Sequence, residues 1–209
     1  MTHIWDISPP VDPASPVFPG DTPYAQQWVA QIAPGCPVNV SAVTHSPHVG
    51  AHADAPLHYD PAGAAIGAVG LDPYLGPCRV VHVLHARPLV RLADVAHALP
   101  GLPPRLLLRC YARQPQAFDA DLPGLEPALI EALADAGVQL VGTDSASVDP
   151  AASKTLDAHQ VLRRRGLRVL ENLLLDDVPA GDYELIALPL KWMQADASPV
   201  RAILRSLHG

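Results

Sequence analysis

The sequence has 209 residues, 49% of them hydrophobic and 17% charged, with a formal net charge of −7. That length holds one well-buried core and is short for two, and the hydropathy excludes a disordered chain, so one domain over residues 1–209 is expected. The acidic balance, without a long basic stripe, argues against a nucleic-acid partner. The opening "MTHIWDISPP" has no charged segment leading into an apolar one, and no run of about 18 uncharged apolar residues follows, so no membrane partner is expected and the cytoplasm is the expected location.

Residues 1 to about 80 read as strands and loops, stiffened by many of the chain's 24 prolines. From there the short apolar runs 78–86, 105–112, 138–144 and 183–190 predict buried strands. Helical periodicity marks 89–101, 125–138, where Gly137 ends the pattern, and 154–165, with Ser153 as N-cap and Arg163, Arg164 and Arg165 in the last turn before Gly166. The run "LRVL" closes on Glu171 at the carboxyl end of a further strand. The expected fold class is α/β, a central mixed β-sheet with flanking helices. Cys36, Cys78 and Cys110 are far apart and form no CxxC pair, so they read as small core residues.

The segment "HVGAHADAPLHY" (48–59) concentrates His48, His52, Asp54 and His58 in a dozen positions. These side chains fall on even positions, and Pro56 speaks against a helix through the second half. A straight strand would separate His48 from Asp54 by roughly 20 Å, too far to share one ion, so the segment must bend, and Gly50 is the natural hinge. Imidazole and carboxylate are the usual ligands of zinc and its first-row neighbours in hydrolytic sites. A G-x-S-x-G nucleophile elbow is absent, "GTDSAS" at 142–147 being the nearest approach, which disfavours a serine hydrolase.

The segment resembles the His-x-Gly-Thr-His-x-Asp-x-Pro-x-His signature of the metal-dependent cyclase family, with Ala51 where threonine usually stands. The opening "IWDISPPVDPASPVFPGDT", "VGTDSASVDP" at 141–150 and "LPLKWMQADASPVRAIL" extend the resemblance over essentially the whole chain, and within the family it is nearest to the bacterial kynurenine formamidases (arylformamidases). The resemblance implies a swivelling β/β/α fold and a two-metal site, zinc expected and manganese the alternative. His48, His52 and Asp54 would hold one ion, and Asp54 would bridge to a second held by His159 and Glu171. His58 would donate and accept protons, and Phe18 would border the substrate. The implied activity is hydrolysis of N-formyl-L-kynurenine to L-kynurenine and formate, with a homodimer as the assembly. A hydrolase of isatin or another cyclic amide, and a metal-binding module without catalysis, are the alternative readings. No role follows for His45. Trp192 and Arg201 are candidates for gripping the amino-acid end only because they lie in a resembling segment, and Asp144 and Ser145 for shaping the pocket.

Overall fold

Short apolar runs rich in branched residues build a nine-stranded mixed sheet in this computed structural model, which describes residues 2–207. In chain order the strands are β1 (Ile4–Asp6), β2 (Ala25–Ala30), β3 (Val40–Thr44), β4 (His52–Asp54), β5 (Leu75–His82), β6 (Leu89–Val90), β7 (Arg105–Arg109) and β8 (Gly124–Leu125). They continue with β9 (Leu140–Thr143), β10 (Arg168–Glu171), β11 (Gly181–Ile186), β12 (Ala197–Pro199) and β13 (Ile203–Ser206). The helices are α1 (Leu92–Val95), α2 (Pro127–Asp135) and α3 (Asp157–Arg165). The sheet runs β1-β13-β11-β5-β7-β9-β10-β4-β12. Its parallel centre is β5-β7-β9-β10, and the remaining neighbours pair antiparallel.

Alternation along the central strands divides the interior in two. Val80, Leu107, Leu140 and Leu170 face one apolar cluster with Ile7, Tyr74 and Leu204. Val81, Leu106, Leu108, Val141 and Val169 face the other, where Leu129, Ile130 and Leu133 of α2 and Val161 and Leu162 of α3 cover them. Gly142 lets β9 pass close to its neighbours, since a Cβ there would stand 2.5 Å from Leu107 Cδ2. Strands β12 and β13 lie far apart in the sheet order, yet only residues 200–202 join them, a reach of about 14 Å at most. The sheet therefore curls until its two ends nearly meet, where the Ile7 N–H donates to Ala202 O (3.0 Å) and the Val200 N–H to Ala51 O (2.9 Å).

The expected mixed α/β architecture is present, with four local differences. The 89–101 helix is cut short, because Leu89 and Val90 pair with Gly124 and Leu125 as strands, leaving α1 and a 3-10 turn. Helix α3 begins at Asp157 rather than 154, so Ser153 is not its N-cap: Ser153 Oγ accepts the Leu156 N–H (3.0 Å) in the turn before it. Pro56 does not prolong an extended segment, but occupies the first turn of a 3-10 helix, Pro56–His58. Cys78 and Cys110 are buried as expected, whereas Cys36 lies in the loop of the β2–β3 hairpin, outside the core. That hairpin forms its own two-stranded sheet and exposes Trp28 (54%), Val29, Ile32, Val38, Val40 and Val43. Among the described residues no helix is long and apolar enough to cross a membrane.

Candidate metal centre

Gly50 makes the turn the histidine cluster requires. Its φ of +65° suits glycine, and a Cβ there would come within 2.6 Å of Val11 Cγ2. His48 precedes the bend, and His52 and Asp54 follow it on one face of β4. Antiparallel pairing then places Glu171, the last residue of β10, opposite His52, and Ala197 of β12 opposite Asp54. The fifth residue, His159, enters from the buried face of α3.

The atoms converge closely. Asp54 Oδ1 is 3.1 Å from His48 Nδ1 and 3.4 Å from His52 Nε2, and Asp54 Oδ2 is 3.3 Å from His159 Nε2. Glu171 Oε2 stands 3.4 Å from His52 Nε2, and its Oε1 3.6 Å from His159 Nε2. His52, Asp54, His159 and Glu171 are all buried. His52 Nδ1 donates to Gly50 O (2.9 Å) and His159 Nδ1 to Asp149 (2.7 Å), which leaves each Nε2 facing the carboxylates.

Burial tends to lower the His52 pKa, but the negative charge of the nearby Asp54 and Glu171 carboxylates outweighs it and raises it to about 10. The same contest, with Asp149 and Asp54 as hydrogen-bond partners, raises His159 to about 10. Burial would raise Asp54, yet His159, His48 and His52 hold it well below the ordinary range. A dry pocket with this excess of carboxylate calls for positive charge. In addition, His52 Nε2 and Asp54 Oδ1 are buried without a hydrogen-bond partner, a costly state for polar atoms unless something else engages them. The donor set fits divalent cations: ligand atoms of His52, Asp54 and Glu171 lie within 4.8 Å of one another, and so do those of His48, Asp54 and His58.

A cavity of about 640 Å³ opens onto this cluster, with His48, His58, His159 and Glu171 in its wall. Phe18 lies in the same wall, edge-to-face with Phe118 at 4.9 Å between ring centroids. His58 ends its 3-10 turn with its side chain 32% exposed, beside the cluster. Asp144 also lines the cavity and accepts the Cys110 and Tyr111 N–H groups (2.8 and 3.1 Å), while Ser145 is buried. His45 stacks on Tyr24 and contacts Ser46 O, away from the cluster. Trp192 and Arg201 are absent from the cavity wall, and Arg201 pairs with Asp6.

Three contributors carry no local pattern in the sequence. Asp149 accepts the Ala158 and His159 N–H groups (2.9 and 3.1 Å), satisfying two first-turn donors of α3 while orienting the imidazole. Asp196 and Phe118 reach the cavity only through tertiary folding.

An α/β sheet that gathers buried histidines and carboxylates at one wall of a cavity is the arrangement of a candidate divalent-cation site. The Cyclase family model matches residues 5–150, and the chain belongs to that family. It is 66% identical over 205 residues to the kynurenine formamidase of Delftia acidovorans, covering 98% of each chain, and 60% identical over 208 residues to that of Bordetella pertussis, covering 99% and 100%. Among solved structures it resembles one described as a predicted metal-dependent hydrolase from Bacillus stearothermophilus (TM-score 0.84, 26% identity, 99% and 100% covered). It also shares the fold of isatin hydrolase A from Labrenzia aggregata (TM-score 0.84, 23% identity, 99% and 94% covered).

Proposed function

We propose that this protein hydrolyses N-formyl-L-kynurenine to L-kynurenine and formate. It does so as one cytoplasmic cyclase-type domain in which His48, His52, Asp54, His159 and Glu171 hold two divalent cations, zinc by preference. The observation that carries this reading is the convergence of those five donors, with orphaned buried atoms among them, at the wall of one cavity. The kynurenine formamidases at 60–66% identity over nearly the full chain support the choice of amide.

Bound cations would lower the pKa of a water from 15.7 toward about 7 and polarise the formyl carbonyl. The chain does the rest. Gly50 O and Asp149 fix the His52 and His159 tautomers, so that both rings present Nε2. His58, beside the buried donors, passes a proton to the anilide nitrogen, which leaves readily only once protonated. Phe18 and Phe118 offer the substrate ring an aromatic wall. Among the described residues Lys154 is the one lysine or arginine in the cavity wall, and Asp21 and Asp119 line it too. Both signs of charge suit the zwitterionic end of an amino acid, whereas isatin is neutral and would use neither.

The metal-loaded protein is expected to release formate from N-formylkynurenine, lose that activity on chelation and regain it with added zinc, and to turn over isatin more slowly. Activity that persists after chelation, or faster opening of isatin, would overturn this assignment. Elemental analysis of the active protein decides between zinc and manganese.

The exposed apolar residues of the β2–β3 hairpin form a surface that a soluble monomer rarely leaves uncovered, and it supports a homodimer. Trp28→Asp combined with Val43→Asp is expected to halve the mass seen by light scattering. An unchanged mass would place any subunit contact elsewhere.

A further inference from the structure

Asp196 stands immediately before β12, and its backbone carbonyl accepts the Ala55 N–H (2.8 Å) at the start of the turn that carries His58. A single carboxylate oxygen, Oδ2, lies 3.0 Å from His48 Nε2 and 3.2 Å from His58 Nδ1. The two rings are 4.3 Å apart. An ionised carboxylate only accepts hydrogen bonds, so both ring nitrogens donate to it. His48 is then left with Nδ1 toward Asp54. His58 is left with Nε2, which has no hydrogen-bond partner among the described residues, on a side chain that lines the cavity.

We propose that Asp196 is the positioning residue of the proton-transfer step, holding the Nδ1–H of His58 and thereby presenting Nε2 to the leaving group. This deepens the functional reading above and rests on the role given there to His58. In the step, hydroxide adds to the formyl carbon while His58 carries a proton on Nε2. The C–N bond then breaks as the nitrogen takes that proton, and formic acid and the free amine account for every atom. A carboxylate that fixes an imidazole tautomer acts on the rate of proton delivery, not on substrate binding.

Two substrates separate this role from simple support of His48. N-formylkynurenine needs its nitrogen protonated, whereas the phenolate of para-nitrophenyl formate departs without a proton. With Asp196→Asn, kcat on the anilide is expected to fall about 10- to 100-fold, with KM within about 2-fold, bound metal at the parent level and the ester rate within about 3-fold. Asp196→Ala is expected to behave alike, which guards against an Asn amide turned toward His58. In a His58→Ala background, Asp196→Asn should cost nothing further, because both changes remove one function. Equal losses on the two substrates, loss of metal, or multiplying losses in the double variant would overturn the proposal. Full anilide activity in His58→Ala alone would instead remove the role of His58 on which the proposal rests.

Discussion

Asp54→Ala is expected to lower turnover of N-formylkynurenine by more than about 1000-fold, beyond the 10- to 100-fold typical of outer-shell partners, and to empty the proposed site of metal. Asp54 reaches His48, His52 and His159 within 3.4 Å and is wholly buried. The chelated protein feels the same change in its stability. His52 is raised above its ordinary 6.5, so its pairing contributes fully below pH 6.5 and is lost as pH climbs toward about 10. Asp54 is depressed below its ordinary 3.8, so its contribution is present above pH 3.8 and is lost as pH falls further. Between these limits the Asp54→Ala variant should melt well below the chelated parent, and the gap should narrow in alkali. A metal content equal to the parent's would remove Asp54 from the ligand set.

His58→Ala should reduce kcat on the formyl anilide by about 100- to 10,000-fold, the range spanned by one positioned acid–base group. Bound metal should stay at the parent level, because His58 sits outside the buried set and is a third exposed. The geometry makes this a sharp test, since ligand atoms of His58, His48 and Asp54 also lie within 4.8 Å of one another. Metal lost along with activity would make His58 a ligand rather than a proton carrier. Retained metal with undiminished turnover would leave it without either role.

Those two residues were legible because they share a local pattern: polar ligands on alternate positions around a glycine that had to bend. Glu171 and His159 sit where periodicity placed a strand end and a helix, so they too could be located once the family signature was read. Asp149 and Asp196 were not legible as contributors, because a lone aspartate in a loop looks like any solvated charge until folding sets it against an imidazole. The short α1 failed for a related reason: Leu89 and Val90 follow a helical pattern, but the ladder to Gly124 and Leu125 decides their conformation. Strand β4 was hidden as well, since three residues pinned between β10 and β12 leave no run long enough to recognise.

The curl of the sheet bears on how the chain matures. Residues 197–206 supply one boundary strand and the neighbour of the opposite one, and Asp196 immediately precedes them. During synthesis the parallel centre can form before either flank of the sheet, because both flanks need residues 197–206. The same stretch thus completes the closed architecture and brings in the carboxylate proposed to steady His58, so that a chain lacking it would hold the proposed cation donors without the means to use them.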